Sequence, residues 1–211
     1  MTVKQATYEK LAEGLIQKFK PRGFEGYYCN TKEEALKLAL EIIPKGATIA
    51  WGGSESIKEI GLLEALKNGE YELFDRTTAV TPEEKKQMYV KHVTSDYFLM
   101  SSNAVTLDGE LVNIDGNGNR VACLITGPEH ILMIVGMNKI VTDEESAIKR
   151  IRNFAAPPNG VRLQLDTPCS TKGKCLDCLS SECMCCHTVV TRKFRDTGRI
   201  KIILVGEDLG Y

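Results

Sequence analysis

Through its first hundred residues the chain repeatedly sets a helix-forming stretch against a short apolar run, and that alternation narrows the available folds more than any other feature. Successive parallel strands need crossover connections, usually helical, so a β-α-β-α-β-α-β series reads as an α/β protein with a mainly parallel sheet flanked by helices. An amphipathic helix is expected over about residues 4 to 19, with Leu11, Leu15, Ile16 and Phe19 on one side. A strand follows at Phe24 to Cys29. Thr31 and Glu34 form a capping-box signal for a helix reaching Ile43, and Pro44-Lys45-Gly46 stops it. Next come a buried strand at Ala47 to Trp51, a helix from Ser54 toward Asn68-Gly69 and a strand at Tyr71 to Phe74. Thr81-Pro82-Glu83-Glu84 opens another helix, with threonine as cap, proline in the first turn and acids behind it. Tyr97 to Ser101 closes the series.

Beyond residue 101 the pattern changes. Leu111 to Ile114 and Val121 to Ile125 read as two short strands around the turn-rich Asp115-Gly116-Asn117-Gly118-Asn119, and Ile131 to Val135 as a further buried strand. A helix from about Asp143 to Phe154 is expected to end before Ala156-Pro157-Pro158-Asn159-Gly160. The run Ile200 to Val205, apolar but for Lys201, brings the chain back to the sheet. Strands near residues 24, 47, 71, 97, 131 and 200 should share one core. Residues 1–211 read as a single α/β domain, with residues 165–190 as a cysteine-rich, metal-binding insertion within it.

Six of the eight cysteines fall between positions 169 and 186, a density that needs a chemical reason. No apolar run is long enough to span a bilayer, and the first residues have neither the apolar stretch nor the cleavage pattern of a signal peptide, so a cytoplasmic location is expected. In that reducing compartment metal ligation or redox chemistry explains clustered thiols better than disulfides. Cys175 and Cys178 form a Cys-x2-Cys pair that can converge on one metal or cluster, and Cys169 and Cys185 complete four thiolates, with Cys183 and Cys186 as alternates for the last. Compact runs with uneven gaps suit an iron–sulfur cluster of the 4Fe–4S type; zinc is the alternative, and a metal-free redox thiol cluster the third reading. Between residues 149 and 201 eleven Lys/Arg face four Asp/Glu, a cationic setting that favours ionised sulfur, or simply a solvated face. Those cations are not interleaved with aromatic residues, so nucleic acid is not the expected partner. Cys29 and Cys123 read as buried small hydrophobes.

Three polar loops follow predicted strands. Gly52-Gly53-Ser54 can present backbone N–H groups to an anion, or form a tight turn with Ser54 as a helix cap. Ser101 to Gly109, continuing to Gly118-Asn119-Arg120, and Gly136 to Lys139 stand in comparable places. Strand C-termini are where ligands bind in open α/β sheets. Convergence of these loops gives a small-anion site of Gly52, Gly53, Ser54, Asn103, Thr106, Asn119, Arg120, Asn138 and Lys139, with Asn103 and Lys139 as catalytic candidates. Neither a P-loop nor a Gly-x-Gly-x-x-Gly fingerprint is present. His92, His130 and His187 offer no convincing catalytic histidine.

Taken together, Gly52-Gly53-Ser54, Ser102-Asn103-Ala104-Val105-Thr106-x-Asp108-Gly109, Gly118-Asn119-Arg120, Gly136-x-Asn138-Lys139, Pro168-Cys169 through Cys185 and Gly206-Glu207-Asp208-Leu209-Gly210 resemble the LUD-domain (lactate utilisation) family over nearly the whole chain. The resemblance implies a fold similar to the superfamily of sugar-phosphate isomerases and deaminases and CoA transferases. It also implies a redox role: binding of a small anionic substrate such as lactate or pyruvate, an iron–sulfur cluster, and an electron-transfer protein partner. A homo-oligomer is compatible with it. Related isomerases carry a carboxylate where Asn103 stands here, which weakens a sugar-phosphate isomerase-like or acyl-transfer reading with a structural metal; the resemblance makes Asp108 the catalytic candidate that could substitute for it. A non-catalytic redox or anion sensor is the third class.

Overall fold

The structure, a computed structural model, describes residues 2–211. Its main sheet has six parallel strands: β1 (Phe24–Cys29), β2 (Thr48–Trp51), β3 (Glu72–Phe74), β4 (Tyr97–Met100), β7 (His130–Gly136) and β10 (Ile200–Val205), in the order β1-β10-β7-β4-β2-β3. These are the six strands expected to share a core. A second, four-stranded sheet runs β8-β5-β6-β9, from β5 (Ala104–Thr106), β6 (Leu111–Asp115), β8 (Ile140–Val141) and β9 (His187–Thr191).

The apolar runs of the central strands follow from burial on both faces. Along β7, Ile131, Met133 and Val135 point to one face and Leu132 and Ile134 to the other; β10 divides the same way, with Ile200, Ile202 and Leu204 opposite Ile203 and Val205. The first face is covered by α1 (Val3–Phe19) through Ala12, Leu15 and Phe19, and by Val105 and Leu111 of the second sheet. The other is covered by α2 (Lys32–Ile42), α3 (Glu55–Glu59) and α4 (Leu62–Lys67), through Ala35, Ala39, Ile57, Leu62 and Leu66. Helix α5 (Pro82–Val93) begins with Thr81 as the expected cap, and Glu84 completes a reciprocal capping box with it.

Four expectations need correction. Val121 to Ile125 is no strand but part of α6 (Asn119–Ile125). A short apolar run cannot be told from a buried helix segment by periodicity, and β6 is already paired antiparallel on both edges, by β5 and β9, so no edge remains for a hairpin partner. The single helix from Ser54 is two short ones, α3 and α4, because Gly61 adopts a left-handed φ of 76° between them. The prolines after Phe154 do not end the helix. Helix α7 (Glu144–Arg150) runs through a π-helical stretch, Ile151–Ala155, into α8 (Ala156–Arg162), and both prolines follow directly on that stretch, where the hydrogen-bond register changes. In α2, Thr31 Oγ1 accepts from Glu34 N, but the Glu34 carboxylate turns to Asn30 N, so the box is not reciprocal.

Between α8 and β9 lie α9 (Pro168–Lys172) and an irregular segment carrying the remaining cysteines. Among the described residues no helix is long and apolar enough to cross a membrane.

Candidate functional site

The C-terminal ends of β2, β4 and β7 open into a cavity of about 400 Å³, closed on its other sides by the end of β6, the α7–α8 helix, the cysteine segment and Gly210-Tyr211. Six of the expected binding residues line it: Gly53, Ser54, Asn103, Asn119, Arg120 and Lys139. Gly52 lies just behind, where a Cβ would stand 3.3 Å from Arg120 Cδ. Three expected residues serve elsewhere. Thr106 Oγ1 accepts from Glu110 N within the β5–β6 turn, and Asn138 binds the backbone of Leu209 through both amide atoms. Asp108, a catalytic candidate, sits on the exposed turn beside Lys18 at 3.3 Å, away from the cavity.

Ser54 occupies the N-cap position of α3, yet its side chain accepts no backbone N–H; its Oγ is buried with no hydrogen-bond partner among the described residues. Capping therefore does not explain this serine, and a buried hydroxyl without a partner is costly unless something else binds it. Helix α3 has only five residues, so charge attraction here must come from side chains rather than from a long helix dipole.

Arg120 supplies part of that charge and is wholly committed to the scaffold. Its guanidinium donates to Asn113 Oδ1 (2.6 Å), Asn103 Oδ1 (2.9 Å) and Ile114 O (2.9 Å), and its Nε stands 3.3 Å from Asp115 Oδ2. Burial pushes its pKa down, partly opposed by Asp115. Asn103 Oδ1 also accepts from Ile114 N, which leaves its amide NH2 as the end without an acceptor among the described residues. Lys139, 4% exposed, donates to Ser56 Oγ at 2.8 Å and Ser101 Oγ at 3.1 Å. Burial, helped by Arg150 and Arg120 and opposed by Glu59, brings its pKa down from 10.5 to about 7.

Sequence reasoning missed two cations on the rim, Arg76 and Arg162. A Cβ on Gly53 would lie 2.9 Å from Arg76 Nη2, so the glycine lets that guanidinium approach the backbone, while Arg162 Nη2 stands at an ordinary contact distance of 4.0 Å. Arg162 is held by Asn159 Oδ1 (2.6 Å) and Glu55 (3.3 Å), whereas Arg76 is exposed and has no hydrogen-bonded or ionic partner among the described residues. Nothing local in the sequence marks either residue, because the turn Arg76–Thr78 after β3 and the end of α8 are brought to the sheet ends only by the tertiary fold. Against these cations the lining carries two carboxylates, Glu55 and Asp115.

The cysteine segment is fastened to this site. Cys186 N donates to Asp115 O at 3.2 Å, β9 pairs with β6 from His187↔Asp115 onward, and Asn159 Nδ2 donates to Met184 Sδ. Met184 and Cys185 thereby become cavity lining. Burial raises the Cys185 thiol to about 12, with further upward contributions from Cys183, Cys175 and Cys169 and an opposing one from Arg152. Cys178 and Cys183 interact with each other; hydrogen bonding to Ser180 lowers the pKa of Cys178, while that of Cys183 is raised. Two backbone amides already point at sulfur, Asp177 N to Cys175 Sγ at 3.3 Å and Cys185 N to Cys183 Sγ at 3.4 Å. Asp177 takes a left-handed φ of 49° inside the Cys-x2-Cys turn, and its carboxylate accepts from Arg152 at 2.9 Å. Among the described residues no three His, Cys, Asp or Glu side chains already stand in a metal-holding arrangement. Cys29 and Cys123 are buried in the core, Cys123 on α6 rather than on a strand, and burial raises both to about 11.

A family model described as the LUD domain matches residues 12–205 of this chain. No curated protein matches it. Among solved structures, the crystal structure of a DUF162 family protein from Deinococcus radiodurans at 1.70 Å resolution is similar, with a TM-score of 0.51 and 11% sequence identity. That similarity covers 95% of this chain and 98% of the other. At that identity the likeness concerns the fold.

Proposed function

The chain belongs to the LUD-domain family, and on that premise we propose that it is a lactate-utilisation-type redox protein. It binds a small hydroxy or keto acid in the cavity and carries an iron–sulfur cluster on Cys169, Cys175, Cys178 and Cys185, with Cys183 or Cys186 as alternates for the last. The observation that carries this reading is the shared wall: Cys185 lines the same cavity as Ser54, Asn103 and Lys139. A thiolate centre there would adjoin a bound anion.

The donor set suits the cluster. Soft thiolates on a compact, uneven run are its usual ligands, and amide N–H groups directed at sulfur are what tune such centres. When bound, the cluster supplies one-electron transfer. The chain's own residues hold the acid: Arg76 and Arg162 flank Gly53 as carboxylate partners, Asn103 presents its amide NH2, and Ser54 Oγ offers a hydrogen-bonding hydroxyl. Oxidation of a hydroxy acid to a keto acid releases two electrons and two protons. An electron-accepting protein partner is therefore part of the proposal, and the chain acts as an oxidoreductase component rather than alone.

Calorimetry with lactate and pyruvate, on protein purified without oxygen, tests the anion site. Saturable binding that weakens in Arg76→Ala is expected; absence of heat with both acids would overturn it. The paired guanidiniums at Gly53 favour one second reading, a phosphorylated ligand, since two such forks match phosphate geometry. Inorganic phosphate outcompeting both acids would select it.

A further inference from the structure

Lys139 is the side chain whose burial the anion site alone does not explain. It leaves the turn between β7 and β8, is 4% exposed, and has two hydroxyls, Ser56 Oγ and Ser101 Oγ, as its only hydrogen-bond partners among the described residues. A neutral amine has two N–H donors and one lone pair, whereas an ammonium has three donors and no lone pair. Two serines therefore satisfy the neutral form and leave one N–H of the charged form without an acceptor. Ser101 Oγ gives its own proton to Ser102 O at 3.2 Å, so it meets the amine as an acceptor. With both serines as acceptors, the lone pair is the valence of this nitrogen left for a ligand in the cavity that Lys139 lines.

The surroundings keep it so. Arg150 and Arg120 disfavour protonation, Glu59 favours it from the neighbouring helix, and Asp115 faces Arg120 at 3.3 Å. With burial the dominant cause, Lys139 titrates at about 7. At neutral pH its free-amine fraction exceeds that of an ordinary surface lysine on the order of a thousandfold. A Cβ on Gly210 would stand 3.2 Å from Nζ, so the glycine leaves space beside the nitrogen.

We propose that Lys139 is a nucleophile that forms a reversible imine with the carbonyl carbon of a small 2-oxo acid held in the cavity. The inference rests on the keto-acid reading above. The amine lone pair attacks the keto carbon, a C–N bond forms, and the carbonyl oxygen leaves as water with the two amine protons, giving C=N. No electrons are gained or lost, so no co-reactant is needed. A hydroxy acid has no such carbon, and the step therefore separates keto from hydroxy acids held by the same cations.

The test is reductive trapping. The full chain is incubated with pyruvate or with lactate, treated with borohydride, and read by intact mass and peptide mapping. One reduced pyruvate unit per chain on Lys139 is expected, none with lactate, and none in Lys139→Arg. The trapping rate should fall about tenfold from pH 8 to pH 6, against about a hundredfold for an ordinary lysine. Mapping the native chain keeps the test independent of how the variant folds. Pyruvate that binds by calorimetry yet leaves no adduct, or adducts scattered over surface lysines, overturns the imine and leaves the keto-acid reading standing. Pyruvate that gives neither heat nor adduct overturns both.

Discussion

Replacing Lys139 by methionine should stabilise the folded chain in mild acid and weaken it in base. Methionine fills a similar volume without an ionisable group. Burial brings the Lys139 pKa from 10.5 down to about 7, and each unit corresponds to about 1.4 kcal/mol, so holding the ammonium in the folded state costs up to roughly 5 kcal/mol. Relaxation and water in the cavity reduce that, and about 2 to 4 kcal/mol is the working figure. Because the folded pKa is depressed, this penalty is absent above pH 10.5, grows as pH falls, and is complete below about 7. The variant also loses the hydrogen bonds to Ser56 and Ser101, worth about 1 kcal/mol each at every pH. Urea unfolding at pH 6 should therefore show Lys139→Met more stable by up to about 2 kcal/mol, and at pH 10 less stable by about 1 to 2 kcal/mol. A stability difference that stays flat across that range would refute an uncompensated buried amine.

Arg120→Met should be the most damaging single change at the site, costing about 3 to 5 kcal/mol in urea unfolding because it strips partners from Asn103, Asn113 and buried Asp115 together; a loss below about 1 kcal/mol would contradict its scaffold role. Arg76→Ala, by contrast, should leave thermal stability unchanged while weakening pyruvate affinity about five- to tenfold by calorimetry, since the side chain has no protein partner to lose. Ser54→Ala should be neutral or slightly stabilising without ligand, as its Oγ is unpartnered, and should weaken binding when the acid is present. Cys175→Ser and Cys178→Ser should abolish bound iron in anaerobic preparations, while Cys29→Ala should keep it and cost only packing.

The centre of the main sheet was legible because β4 and β7 are buried on both faces and appear as apolar runs, while the partly buried edge strands β1 and β3 stand out by their place between helix signals. The second sheet was mostly illegible. β5, β8 and β9 are two to five residues long and take their stability from neighbours distant in sequence, as in the pairing of Val105 with Ile140. Val121 to Ile125 failed for a related reason: five apolar residues fit a helix or a strand, and only the occupied edges of β6 exclude the strand. At the site, the glycine and asparagine loops could be found because strand ends with turn chemistry are local features. Arg76 and Arg162 could not, since only the tertiary fold brings them beside Gly53. Thr106 and Asn138 carried the right residue types in the right loops, but their polar atoms are consumed by the β5–β6 turn and the Leu209 backbone. Asp108 was drawn in by motif context and lies on the far turn with Lys18.

The proposal that a cysteine-bound cluster adjoins an anion cavity is tested most directly by one measurement. The chain is purified without oxygen, its iron and acid-labile sulfide are quantified, and its visible and electron paramagnetic resonance spectra are recorded before and after pyruvate is added. The account predicts brown protein with iron and sulfide in matching amounts, and a spectrum that shifts on adding pyruvate, because Cys185 stands in the wall of the cavity. Colourless protein holding zinc without sulfide, or a cluster spectrum indifferent to saturating pyruvate, would contradict it.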